Sequence, residues 1–267
     1  RQFTYNSKKQ YQTMLEGAIA TLNDVPEGQP ITDLESGSKV KLGVWNDTPL
    51  QWKVARDSVD QSLRLVLEPV SVTLLGNMAF DEGEAGNTIG NRVNGNNRYV
   101  YSNIHQWLNA VKESGWYVAQ HSLDAPPAYA SSPGFLSGWN ETDLSVLDDA
   151  TLTTTKTNVD GGGTETFNAG VALISTTELG LQSGTGGTTL DIFNTPGNRI
   201  TGKNYWTRTP DQSTAYATYR LSPLGALEID IVRTAFEIRP LCSPKSTTYV
   251  SLEPDEDGCY TITGVNE

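Results

Sequence analysis

Asn204-Tyr205-Trp206-Thr207-Arg208-Thr209-Pro210 is a short β-type run stopped by a proline, and Thr234-Ala235-Phe236-Glu237-Ile238-Arg239-Pro240 repeats the same design. In the first run Trp206 and Arg208 stand two apart, which predicts one strand face on which the guanidinium lies over or beside the indole. In the second, Phe236 and Ile238 share one face and Glu237 and Arg239 the other. Between them, Ala215 to Leu221 and Ala226 to Val232 alternate in the same way, joined by a turn at Ser222-Pro223-Leu224-Gly225. The C-terminal third therefore reads as an antiparallel meander, with Trp206, Arg208 and Arg239 as architecture rather than binding site.

Working outward, the 267 residues can bury a real core, and one large domain with extensions is expected. A net charge of -12 sets the surface against phosphate backbones and anionic membranes, so neither nucleic acid nor membrane is an expected partner. No apolar run is long enough to span a bilayer, and the basic-then-apolar pattern of a signal peptide is missing at the start, so the expectation is a soluble protein without an export address. Cys242 and Cys259 are the only cysteines. Their spacing fits no zinc or redox motif and does not imply a disulfide; reduced thiols are expected.

Along the chain, Tyr11, Leu15, Ala18, Ile19 and Leu22 fall at helical spacing, with Ser7 as N-cap and Val25-Pro26 as stop. This amphipathic helix has two open readings: its apolar face packs on its own domain, or it is an arm docking on another chain. Lys39 to Val44 and Gln51 to Arg56 form a hairpin around Asn46-Asp47, and Leu63 to Leu67 and Val70 to Leu75 read as further strands. Ser102 caps a helix whose inward face is Ile104, Trp107, Leu108 and Val111, and Glu141 to Leu147 is a second helix. Ala169 to Ile174 is a buried strand. Thr157 to Thr166 and Gln182 to Lys203 lack apolar periodicity and read as polar surface loops.

Several of these blocks resemble, in order, a domain of unknown function common in Firmicute bacteria, their phages and prophages. The carriers are a Gly-Ser-x-Val opening at Gly37 to Val40, a Trp-x-Val strand at Trp52 to Val54, Tyr99 to Asn109 with its Ser102-Asn103-Ile104 and Trp107-Leu108-Asn109, Tyr205 to Pro210, and the closing Arg239-Pro240-Leu241. The resemblance spans roughly residues 31–244. It implies the C-type-lectin-like fold of formylglycine-generating enzymes and of retroelement variable proteins: an α+β domain of mostly antiparallel strands with two or three helices. On this reading residues 1–30 are an N-terminal helical arm and linker, 31–245 the lectin-like domain, and 246–267 a C-terminal extension.

The candidate chemistry is thin. Asp160-Gly161-Gly162-Gly163 and Gly184-Thr185-Gly186-Gly187 have neither the spacing nor the flanking elements of a phosphate cradle. Trp45-Asn46-Asp47 repeats a string that C-type lectins use for calcium-dependent sugar binding, but it sits in a hairpin turn without a second oxygen cluster. His105 and His121 are the only histidines, and His121 with Asp124 falls short of a zinc ligand set. The cysteine pattern of formylglycine-generating enzymes is not reproduced, and no Ser/His/Asp order is visible. The expectation is therefore no metal, no cofactor and no catalytic residue.

What remains is recognition. The two polar loops with flanking aromatics form the expected contact face, with Asp160, Thr164, Asn198, Tyr205 and Tyr216 as ligand-binding candidates and Trp107, Trp206, Arg208 and Arg239 as the structural signature. The expected role is a non-enzymatic phage or prophage virion protein, at a fibre tip or decorating a capsid. It would be oligomeric, attached to other head or tail proteins through the arm, and would contact a glycan or protein of the host surface. A bacterial surface or secreted binding module is the alternative, and an enzyme of the formylglycine-generating type the third reading.

Overall fold

The computed structural model describes residues 7–16 and 26–266. Helix α1 covers residues 7–16 and is exposed along its whole length; the rest of the expected N-terminal helix, residues 17–23, lies outside the described residues. The strands are β1 (Gln29–Pro30), β2 (Lys39–Trp45), β3 (Thr48–Arg56), β4 (Leu63–Leu67), β5 (Met78–Ala79), β6 (Ala150–Thr155), β7 (Thr164–Ala169) and β8 (Val171–Leu173), followed by β9 (Tyr205–Pro210), β10 (Ala217–Leu221), β11 (Leu227–Ile231), β12 (Ala235–Ile238), β13 (Pro240–Cys242), β14 (Thr248–Val250) and β15 (Cys259–Val265). Helices α2 (Pro69–Leu75), α3 (Asn103–Leu108) and α4 (Glu141–Val146) are short. The molecule is thus mixed α and β with mostly antiparallel sheets.

Eight strands form one sheet in the order β1-β14-β15-β2-β3-β4-β13-β8, five form a second in the order β11-β10-β9-β12-β5, and β6 pairs with β7 alone. The β2–β3 hairpin turns on Asn46 and Asp47, both at positive φ (47° and 58°), which pairs Trp45 with Thr48. That is the two-residue turn whose twist matches the strands, and Asn and Asp tolerate it because their short polar side chains visit the left-handed region cheaply. At α3, Ser102 Oγ accepts the His105 amide at 3.3 Å. Ile104, Trp107 and Leu108 are fully buried there, whereas Val111 lies beyond the helix and is exposed.

Three expectations give way. Val70 to Leu75 is helix, not strand: Pro69 sits in the first turn, where its missing N–H costs nothing, and Val72 and Leu75 bury on one side. The C-terminal third is not one continuous meander, because β12 crosses to the far side of β9 and pairs with it in parallel, Ile238 opposite Trp206. And Gln182 to Lys203 is not wholly a surface loop, since Leu190, Ile192 and Phe193 bury in the core.

The two sheets are joined at Arg239. The chain leaves β12 and enters β13 of the other sheet through this residue, which is 1% exposed. Its guanidinium donates to Leu67 O (3.1 Å), Asn198 O (2.8 Å) and Arg199 O (3.1 Å) and lies over the Phe193 ring at 5.3 Å. A buried cation is tolerable only with its N–H groups satisfied, and backbone carbonyls from separate segments do this here. Around the junction the core is aromatic. Trp107 packs against Trp45 and Phe135 with centroids 5.3 and 5.4 Å away, while Trp206 packs on Phe236 at 4.9 Å and Phe80 at 6.0 Å. Trp107 and Trp206 give their buried indole N–H to the carbonyls of Pro133 and Met78, whereas the N–H of Trp139 is buried without a partner.

Residues 246–266 are woven into the eight-stranded sheet. β15 lies between β14 and β2, parallel to β2, and β14 pairs with β1.

Candidate functional site: a polar groove at the end of the central strand

Arg208 does not lie on Trp206. Its guanidinium turns to Glu178, Nη1 and Nη2 each meeting a carboxylate oxygen at 2.6 Å, and Nη1 also donates to Leu173 O at 2.7 Å. Both side chains are buried, and Glu178 takes a further bond from the Ser175 amide at 2.8 Å. A planar guanidinium facing a carboxylate through two parallel bonds fixes direction as well as distance. The pair therefore sets where residues 175–187 can run against β9.

That segment is then tied down by hydroxyls. Thr176 Oγ1 lies 2.7 Å from Thr185 Oγ1 and 2.8 Å from Gln182 Oε1, Thr185 N donates to Thr177 Oγ1 at 2.9 Å, and the Thr176 amide donates to Thr209 Oγ1 at 3.0 Å. Ser175 Oγ donates to Gly186 O at 2.6 Å. Gly186, at φ +124°, presses so close to β6 that a Cβ would stand 2.1 Å from Thr153 O. Only glycine permits that approach.

Between this strap, the end of β9, the 211–213 turn and the end of β6 lies a groove of about 630 Å³. Thr155, Asn158, Gln182, Thr185, Asp211 and Tyr219 are among its lining residues. Asp211 accepts from the Ser213 hydroxyl at 2.8 Å and from the Thr214 hydroxyl, and Asn97, fully buried, holds the turn by donating to Asp211 O, Thr214 O and Ala217 O. Thr155 is 2% exposed, and its Oγ1 has no hydrogen-bond partner. A buried hydroxyl without a partner is costly, and this one stands in the wall of the groove. Across the strap a second depression of about 450 Å³ carries Thr151, Thr153, Thr164 and Thr188.

The expected contact residues are scattered. Tyr205 is a correction: it is fully buried, with its hydroxyl on Arg199 O at 2.7 Å, because both faces of β9 are covered. Asp160 is bound to Arg92 at 2.6 Å and so shapes its loop. Asn198 donates to Ile192 O at 2.7 Å, Tyr216 is half-buried, and Thr164 lines the second depression. Trp107, Trp206, Arg208 and Arg239 are core residues. Missed were Thr155, Asp211 and Tyr219. The one signal for them was that Thr209-Pro210-Asp211 ends a strand that follows directly on the second polar loop.

The remaining polar candidates form no metal centre. His121 Nε2 meets Glu84 Oε1 at 3.0 Å, and Cys242 and Cys259 are buried free thiols. Among the described residues no group of three or more His, Cys, Asp or Glu could hold a metal ion. Burial pushes the Cys242 thiol well up, the opposite of what a nucleophile needs.

Comparison with known protein families matches residues 70–246 to a domain of unknown function, DUF6273. The chain belongs to this family. No curated protein and no solved structure matches it. The DUF6273 segment contains the whole groove and the five-stranded sheet, but of the eight-stranded sheet it supplies only β13 and β8. The opening strands read as family-like, β2 and β3, lie outside the matched residues.

Proposed function

We propose that this DUF6273 protein is a non-enzymatic binding protein of a phage or prophage particle, displaying a C-type-lectin-like domain whose groove holds a neutral glycan of the host surface. The groove carries the reading. Its walls are hydroxyls and amides with a single carboxylate and one tyrosine ring, and the buried Thr155 hydroxyl lacks a partner. Such groups exchange hydrogen bonds with sugar hydroxyls as readily as with water, and Tyr219 offers a flat apolar face. The net charge of -12 disfavours teichoic-acid-like polyanions. The ordered sequence blocks support the lectin-like and phage assignments, and the high thiol pKa of Cys242 weighs against a thiol-based enzyme.

The test is an array of bacterial surface polysaccharides probed with the wild-type protein and with Thr155→Val and Tyr219→Ala. One lost hydrogen bond corresponds to about 0.5–1.5 kcal/mol, so Thr155→Val is expected to weaken binding by roughly 3- to 10-fold. Unaltered binding in both variants would move the site away from the groove. Detection of the protein in purified particles by mass spectrometry separates the virion reading from that of a bacterial surface module.

A further inference from the structure

The groove and the second depression share a floor. Thr151, Thr153 and Thr155 alternate along β6 and project to one side of the strand at intervals of about 6.7 Å. Thr151 and Thr153 lie in the depression, and Thr155 lies in the groove. The strap crosses the strand between them, with Gly186 seated against Thr153 O. Gly184 lines both hollows, is exposed, and has nothing within 4 Å of where a side chain would begin. The ridge between the hollows is therefore bare backbone.

Each hollow also has its own unpaired hydroxyl: Thr155 Oγ1 on one side and Thr188 Oγ1 on the other are both buried without a partner. We infer that the ligand is a linear polysaccharide, bound across the Gly184 ridge with successive sugars in both hollows, rather than a single terminal sugar. This inference rests on the reading of the groove as a saccharide site. Chain length is then the specificity determinant, because each hollow alone is shallow and polar and offers little apolar area to bury. Two linked weak subsites reinforce each other through effective concentration.

The experiment is an array of ladders of one to ten sugars cut from peptidoglycan strands and from neutral cell-wall polysaccharides. It is probed with wild-type protein, Thr155→Val, Thr188→Val and Thr151→Trp; the last substitutes an exposed strand position and fills the second depression by bulk. The expected result is at least tenfold tighter binding of hexasaccharides than of disaccharides of the same repeat. Thr188→Val and Thr151→Trp should lower only the longer chains to the disaccharide level, and Thr155→Val should weaken every length. Binding independent of length, or unaffected at all lengths by both second-depression variants, overturns the two-hollow inference and leaves the groove reading intact. No binding to any ladder overturns both.

Discussion

Arg208 and Glu178, 30 residues apart in sequence, face each other through two 2.6 Å contacts in a position closed to solvent. Removing one partner leaves the other charge buried and uncompensated. Glu178→Ala is expected to cost about 3–5 kcal/mol, whereas the double substitution Arg208→Met with Glu178→Leu should recover most of that loss. Urea unfolding of the two single variants and the double variant measures the coupling. Equal destabilisation in the double variant would mean that the backbone bonds of Arg208, not the ion pair, hold the strap.

His105 gives a signed pH prediction. Its ring packs on Tyr99 at 4.8 Å and Phe167 at 5.3 Å, and burial pushes it down from 6.5 to about 4. The folded state therefore resists the proton that the unfolded state takes up below pH 6.5. Stability from this residue is complete above pH 6.5 and falls as the pH drops toward 4, by at most about 3 kcal/mol. His105→Gln should flatten that slope relative to wild type in urea midpoints measured from pH 7 to 4. An unchanged slope would place the acid sensitivity elsewhere.

The two ends of the chain should respond oppositely to deletion. Helix α1 is exposed throughout, Tyr11, Met14 and Leu15 included, so removal of residues 1–24 is expected to leave the melting temperature within a few degrees while abolishing self-association. Removal of residues 247–267 takes β14 and β15 from the large sheet and uncovers β2. That variant should lose cooperative unfolding. Calorimetry and light scattering on the two deletions decide both points.

Dialysis against EDTA should leave the melting temperature unchanged, since among the described residues no ligand cluster exists and Asn46-Asp47 is occupied in making a turn. A fall of many degrees reversed by calcium would reveal a site formed otherwise.

What the sequence displayed and what it hid divide along physical lines. The Asn46-Asp47 hairpin, the Ser102 cap and the β9 run are local: residues within a turn of each other determine them. Val70 to Leu75 misled because its β-branched Val70, Val72 and Thr73 favour a strand, and the deciding residue was Pro69 just before it. Tyr205 misled because alternation marks two faces without saying which is covered, and here both are. The partner of Arg208 and the parallel pairing of β12 with β9 depend on segments tens of residues away, which no local pattern encodes. The groove inherits this: Thr155, Gln182 and Asp211 meet only because the ion pair and the threonine bonds bring their loops together.

The position of β15 has a consequence for biosynthesis. Because β15, the strand that covers β2, comes so much later in the chain, the edge of β2 stays open while the more than two hundred residues between them are translated. An open strand edge invites pairing with other nascent chains, and lysines on that edge discourage it. Lys39 and Lys41 occupy two of the three positions that β15 later covers. When β15 arrives it brings its own neutralising loop: Asp255 and Asp257 each close on the Lys41 ammonium at 2.6 Å. The same lysine thus guards the unfinished sheet and then, once the last strand docks, latches it.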